Sequence, residues 1–184
     1  MTKKILTLVT LLILVFHLKG QEKQDKIDIR IGSGISLLGT GDMTTLNIEN
    51  EVNYKYGRLL SNSVSLQYGR SNSGVWKTAS FIQGNLNIFI SPFKNDRKND
   101  FRIGTGLGYY TISDAYQESA EYSNGQLVDE DYKFEIRNSF GINLILENTY
   151  SITDRFLIGL KLFTQPYFNG DINTGGLLKF GVKF

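Results

Sequence analysis

The stretch FRIGTGLGYYT, residues 101–111, places three glycines at every second position among larger side chains. A glycine-rich phosphate loop of the dinucleotide-binding type needs its third glycine three residues after the second. That position is Tyr109, and no helical spacing of apolar residues follows it. A period of two instead indicates a β-strand. One face of this strand carries Phe101, Ile103, Leu107 and Tyr109, and the other carries Arg102, Gly104, Gly106 and Gly108.

The same alternation recurs along the chain and predicts eight strands. Most of them exceed the ~5–6 residues of a typical globular strand and are long enough to cross a bilayer at a tilt. The connections alternate in length, which is typical of outer-membrane barrels. The predicted strands cover about 26–39, 46–57, 62–70, 79–91, 101–111, 132–149, 155–165 and 175–184. The longer connections are predicted at 38–45, 71–78, 113–131 and 166–174, and the shorter ones at 57–62, 92–99 and 150–154.

The first twenty residues have the pattern of a secretory signal peptide. Lys3 and Lys4 precede an apolar run over 5–18, which is too short to span a bilayer comfortably, and Gly20 follows. The predicted organisation is therefore a cleaved signal peptide at 1–20 and a single β-barrel domain at 21–184. Removing the signal lowers the 20 basic residues to 17 against 18 acidic ones, so the mature chain gives no argument for nucleic-acid binding.

Histidine and cysteine are missing from the predicted mature chain. The only histidine, His17, lies in the signal peptide, and the sequence contains no cysteine. Both the commonest general base and the thiol nucleophile are therefore lacking, together with the commonest transition-metal ligand. We expect no cofactor and no enzymatic activity.

The period of two does not by itself show which face of the barrel points inward. A soluble lipocalin-like carrier is apolar inside, whereas a membrane barrel is apolar outside. Aromatic residues concentrated near the strand ends, glycines on the polar face and charges of both signs on that face favour the membrane arrangement. The predicted fold class is an all-β, eight-stranded antiparallel up-and-down transmembrane β-barrel.

Charged residues on the polar face are predicted to form a salt-bridge network that largely plugs the lumen. The glycines of 101–111 are expected to make room for these long side chains. A narrow gated pore for small solutes is the alternative. The predicted network comprises Arg30, Glu49, Glu51, Arg102, Glu135, Arg137, Glu147 and Lys161.

The last strand carries apolar residues at every second position and ends on an aromatic one, namely Leu178, Phe180, Val182 and Phe184. This pattern resembles the C-terminal insertion signal of bacterial outer-membrane barrels, and the whole chain is similar to the small outer-membrane β-barrel proteins of the Bacteroidetes. The resemblance implies location in the outer membrane, contact with its lipid, recognition by the barrel assembly machinery and a structural or surface-interaction role.

Two further kinds of chemistry are weighed against this role. Barrel enzymes that modify lipid A use a catalytic histidine, so only a serine–lysine arrangement is left here, for example Ser139 near Lys133 or Lys161. The predicted loop at 113–131 carries six acidic residues and no basic one. It is a candidate surface for an extracellular partner, and binding of Ca²⁺ to its carboxylates is an alternative.

Overall fold

The computed structural model describes residues 26–39, 43–72, 77–93, 98–123 and 126–184. The predicted signal peptide at 1–20 lies outside these residues. No helix among them is long and apolar enough to cross a membrane. The described residues form eight strands: β1 (Ile27–Leu38), β2 (Met43–Lys55), β3 (Leu60–Asn72), β4 (Lys77–Ile90), β5 (Asn99–Ser123), β6 (Gln126–Ser151), β7 (Phe156–Pro166) and β8 (Ile172–Lys183).

The eight strands form a closed antiparallel barrel in chain order, because β8 pairs with β1. If the register partners are followed from strand to strand once around the barrel, the path that starts at Ile27 on β1 returns to β1 at Leu37. This displacement of ten residues is the shear of the barrel, and with eight strands it corresponds to a strand tilt of about 40°. The predicted fold class is confirmed.

The outer wall is apolar, and most of the side chains that face the lumen are polar. Ile31, Leu46, Leu86, Leu107 and Leu178 lie on five different strands and are 53–72% exposed. On β1 the outward apolar residues extend from Ile27 to Leu37. Each residue of a strand tilted in this way advances about 2.5 Å along the barrel axis, so these residues span about 25 Å. This height matches the apolar band of outer-membrane barrels. We call this band the apolar belt.

Aromatic side chains lie at both edges of the apolar belt. Tyr109 and Phe140 pack together at one edge, with ring centroids 4.8 Å apart, and Phe156 and Phe180 stack at the other, 5.8 Å apart. Such girdles are typical of the two membrane–water boundaries. The soluble lipocalin-like alternative, which needs an apolar lumen and a polar wall, does not fit this arrangement.

The prediction of a loop at 113–131 is wrong, because most of this segment forms strand. β5 contains 25 residues and β6 contains 26, and they pair up to Ser123 and Gln126. The other three predicted long connections are wrong as well, because they shorten to 39–42, 73–76 and 167–171, and the longest connection between strands, 91–98, lies at the opposite end of the barrel. The strand signal was missed because water surrounds both faces of the projecting segment, so the sequence there lacks an apolar–polar alternation. We call Asp114–Arg137 the β5–β6 hairpin, and we take its end of the barrel as the outer one.

Candidate functional site

A charge cluster fills the part of the lumen near the chain termini. Its side chains are at most 3% exposed. Four carboxylates face four cationic groups, so the cluster is electrically neutral. Since isolated charges are very costly to bury, this balance is what allows them to fill a narrow lumen. The members of the charge cluster are Asp28, Glu49, Glu51, Glu147, Arg30, Arg102, Lys161 and Lys179.

Glu51 is central to the charge cluster. Its carboxylate lies 2.7 Å from the Lys179 ammonium, 3.0 Å from the Arg102 guanidinium and 3.4 Å from the Lys161 ammonium. Glu49 accepts a hydrogen bond from Lys161 at 2.7 Å. These contacts join β2, β5, β7 and β8 across the lumen. The cluster therefore ties together strands that are not neighbours in the sheet.

Glu147 holds the other half of the charge cluster. It lies 2.8 Å from the Arg102 guanidinium and 3.3 Å from the Lys179 ammonium, and it also pairs with Arg30. Arg30 reaches Asp28 at 2.5 Å. The guanidinium of Arg102 lies 3.9 Å from the centroid of the Phe89 ring, which covers its face. Every charged group of the cluster thus has an oppositely charged partner.

Six of the eight predicted network residues belong to the charge cluster, whereas Glu135 and Arg137 lie apart from it. These two residues precede Phe140 of the outer aromatic girdle on β6, and they lie beyond the girdle, where the lumen opens to water. Arg137 is 3.1 Å from Asp114 and 3.6 Å from Glu135. Partial burial lowers the pKa of Arg137, but the carboxylates of Asp171, Asp114 and Glu135 outweigh this and raise it. The prediction named neither Asp28 nor Lys179, although both lie on the polar faces of their strands.

Amide side chains occupy the middle of the lumen. Asn143 donates a hydrogen bond to Asn87 at 2.8 Å, and Gln165 donates to Asn85 at 3.3 Å. Gln83 pairs with Gln165 and accepts a hydrogen bond from the Tyr167 hydroxyl. This layer fills the space between the charge cluster and the outer mouth.

An apolar cap closes the lumen at its outer mouth. Tyr110 and Tyr167 pack against each other with ring centroids 3.8 Å apart and the ring planes tilted by 36°, and the whole set is at most 4% exposed. Sequence reasoning missed this cap. A signal was present in adjacent apolar pairs such as Leu37–Leu38, Phe81–Ile82 and Tyr109–Tyr110, where both faces of a strand are apolar. The cap consists of Leu38, Met43, Ala79, Phe81, Tyr110, Ile112 and Tyr167.

The glycines of 101–111 face the lumen, but they do not make room for long charged side chains. A Cβ at Gly104 would lie 2.4 Å from the Phe89 ring, and one at Gly108 would lie 2.0 Å from the Gln165 amide. At Gly106 it would lie 2.1 Å from the backbone oxygen of Leu86 on β4. The glycines therefore allow close approach of an aromatic ring, an amide and a neighbouring strand.

The β5–β6 hairpin presents apolar side chains beyond the apolar belt. Phe134 and Ile136 are 77% and 70% exposed, and they lie about 15 Å and 10 Å beyond Phe140 along the barrel axis. Among the described residues, no strand pairs with the far side of β6 from Phe134 to Asn138. The backbone carbonyl of Phe140 accepts a hydrogen bond from the backbone N–H of Phe168 on that side. Because every second residue of a strand directs its N–H and C=O to the same side, alternate residues of β6 present these groups at the open edge.

Two of the three residues weighed for catalysis have other partners. The Ser139 hydroxyl donates to the carbonyl of Phe140 at 3.0 Å, and the Lys161 ammonium is held by Glu49. The Lys133 ammonium is fully exposed beside Tyr116 on the hairpin, and its pKa is raised by that neighbour. In the described part of the chain, no group of three or more potential ligand side chains could hold a metal ion. These contacts do not support the serine–lysine alternative, and the described carboxylates of the hairpin form no cluster of the kind that Ca²⁺ needs.

An apolar wall with aromatic girdles around a blocked polar lumen defines a small outer-membrane β-barrel protein of the bacterial envelope. A scan against protein-family models finds no match, and neither does a search of the curated proteins. Solved structures share the fold. Ail, the attachment invasion locus protein of Yersinia pestis, is 12% identical over 87% of this chain and 98% of its own, with a TM-score of 0.57.

A second structure of Ail, in complex with the heparin analogue sucrose octasulfate, matches with 13% identity over 87% of this chain and 98% of its own, at the same TM-score of 0.57. Neisserial surface protein A is 12% identical over 86% of this chain and 96% of its own chain, also with a TM-score of 0.57. These similarities concern the fold.

Proposed function

We propose that this protein is a non-conducting, non-enzymatic outer-membrane barrel that displays the β5–β6 hairpin as a surface for interaction outside the cell. The observation that carries this proposal is the pair of exposed apolar side chains, Phe134 and Ile136, beyond the apolar belt. Large exposed apolar side chains that contact neither core nor lipid are typical of interaction sites. The names of Ail and neisserial surface protein A, as an attachment protein and a surface protein, are consistent with this role.

The charge of the β5–β6 hairpin favours a cationic partner. Asp114–Arg137 contains seven acidic residues and two basic ones, Lys133 and Arg137. The structure of Ail holds a polyanion, sucrose octasulfate, and like charge on this hairpin opposes such a ligand. An extended peptide segment with alternating cationic and apolar residues would match both the charge and the open edge of β6.

Binding of two synthetic peptides to the protein in lipid vesicles tests this proposal. We expect an octapeptide of alternating lysine and valine to bind, with an affinity that falls as salt is added, and one of alternating glutamate and valine not to bind. Phe134→Ser should weaken binding about tenfold, because it removes a large apolar contact from the centre of the surface. Fluorescence anisotropy of labelled peptide gives both affinities.

Phe93→Ser is the matched control for Phe134→Ser. Phe93 is 63% exposed in the connection after β4, at the opposite end of the barrel from the hairpin. It should leave peptide affinity unchanged. Equal binding of both peptides, or equal loss in both variants, would count against the hairpin as the interaction surface.

The pore alternative is opposed by the three layers that fill the lumen. The charge cluster, the amide layer and the apolar cap leave no continuous water path among the described residues. In planar bilayers we expect the protein to add no stepwise conductance to that of a protein-free membrane. Reproducible, ion-selective steps would show that the plug opens and would restore the pore function.

We also propose that 1–20 is a cleaved signal peptide and that the barrel assembly machinery reads the last strand. Leu178 and Phe180 point outward on the strand that closes the barrel and are 72% and 46% exposed, and Phe184, directly after that strand, is 65% exposed. Their side chains are therefore accessible to a partner. Phe184→Ser should lower the amount of barrel in cellular outer membranes without changing the stability of refolded protein. The exported chain should begin after Gly20 by N-terminal sequencing. Origin in the Bacteroidetes stays a prediction.

A further inference from the structure

A groove of about 280 Å³ lies on the outward face of β3, β4 and β5 near the outer girdle. Arg70 pairs in register with Ser80, and Ser80 pairs with Ser113, so these three residues form one row across the strands. Tyr68 bounds the groove on the side of the apolar belt, and Phe134 bounds it on the side of the hairpin. The groove therefore combines one cationic group with two hydroxyl groups. We call Arg70, Ser80 and Ser113 the Arg70 row.

Arg70 is an isolated charge on the outer wall. Among the outward-facing strand residues that the structure describes, it is the only charged one apart from those at 118–131 of the hairpin. Its guanidinium has no ion-pair or hydrogen-bond partner in the described part of the chain, and neither has the hydroxyl of Ser80 or Ser113. All three side chains are therefore available to a ligand that approaches the wall from outside.

The Arg70 row lies at the level of the outer lipid headgroups. The register path climbs about 25 Å in eight steps once around the barrel, so each step from strand to strand changes the height by about 3 Å. Ile136 lies about 10 Å beyond Phe140 and pairs with Ser113. From there the row descends to about 7 Å beyond Phe140 at Ser113, about 4 Å at Ser80 and about 1 Å at Arg70. The headgroup layer extends about 5–8 Å beyond the hydrocarbon, so the row spans it.

We propose that the groove binds the phosphate of a lipid headgroup in the outer leaflet. The guanidinium of Arg70 binds phosphate through two parallel charge-assisted hydrogen bonds, and the hydroxyls of Ser80 and Ser113 donate to further phosphate oxygens. A lipid is favoured over a free anion because membrane lipid surrounds the wall at this height. The acyl chains of the bound lipid lie along the apolar belt below the row.

Quenching of a tryptophan by brominated lipids tests the proposal. Ile82→Trp, in a chain that also carries Trp76→Phe, places one reporter on β4 beside the groove, where Ile82 pairs with Tyr68. The protein is folded in phosphatidylcholine vesicles that contain either brominated phosphatidic acid, whose headgroup is a bare phosphate, or brominated phosphatidylcholine. We expect a preference for phosphatidic acid of about fivefold, which falls as salt is added. Arg70→Gln should abolish this preference, and Arg70→Lys should keep part of it, since an ammonium attracts phosphate without the paired hydrogen bonds.

Arg155→Gln is the matched control for Arg70→Gln. It removes an exposed arginine from the β6–β7 turn at the other end of the barrel and should leave the preference unchanged. A second reporter, Ile172→Trp on β8, lies on the opposite wall at nearly the same height as Ile82 and should show no preference. All variants should keep the heat-dependent gel shift of a folded barrel.

Three results would overturn the proposal. The first is equal quenching of Ile82→Trp by the two lipids, and the second is an equal loss of preference in Arg155→Gln and Arg70→Gln. The third is removal of the preference by inorganic phosphate at constant ionic strength, which would identify a site for the free anion. Arg70→Gln should leave peptide binding to the hairpin unchanged, so this proposal and the proposed function can fail separately.

Discussion

Replacing Gly106 with leucine should leave the chain without a folded barrel. Even a Cβ at this position would lie 2.1 Å from the backbone oxygen of Leu86 and 2.8 Å from the Cα of Asn87. Backbone atoms cannot rotate away as a side chain can, so β4 and β5 would have to separate at the centre of the sheet. The two strands pair continuously from Lys77 to Ile90, and a gap there would break a closed barrel.

The heat-dependent shift on a detergent gel measures this outcome, since folded barrels resist detergent until heated. We expect Gly106→Leu to run as unfolded protein before and after heating. Gly84→Leu on β4 is the matched control, because a Cβ there meets nothing within 4 Å and points to lipid. A heat-modifiable Gly106→Leu barrel would show that the β4–β5 contact can relax, which contradicts the geometry.

Glu51→Gln should destabilise the folded barrel by about 3–5 kcal/mol. The substitution keeps the shape of the side chain but leaves Lys179, Arg102 and Lys161 sharing one carboxylate fewer. The charge cluster then carries one uncompensated positive charge with no access to water. Equilibrium unfolding by urea in lipid vesicles measures the loss in the free energy of unfolding.

A second substitution distinguishes lost charge balance from lost packing. Adding Lys179→Met to Glu51→Gln restores neutrality and should recover part of the stability. Glu135→Gln should cost less than about 1 kcal/mol, because Glu135 is 42% exposed and its contact with Arg137 is 3.6 Å long. If Glu51→Gln also costs less than about 1 kcal/mol, the cluster does not hold the barrel together.

The eight strands and the orientation of their faces could be read from the sequence because side-chain direction in a strand is a local property. Successive residues point to opposite sides whatever the strand pairs with. Leu86, Ile88 and Ile90 could therefore be assigned to the outside and Asn85 and Asn87 to the inside, as the structure has them. The same rule failed over 114–131 of the β5–β6 hairpin, where both faces meet water.

The partners inside the lumen could not be read in this way. Glu51 contacts Lys179, which is 128 residues further along the chain. The two side chains lie at the same level along the barrel axis only because the shear of the barrel is ten residues. A different shear would bring other inward residues to the same level. For the same reason Glu135 and Arg137 were assigned to the charge cluster although they lie outside the outer girdle. The sequence alone determined which residues face the lumen, and the tertiary structure decided which of them meet, because register is a property of the closed sheet.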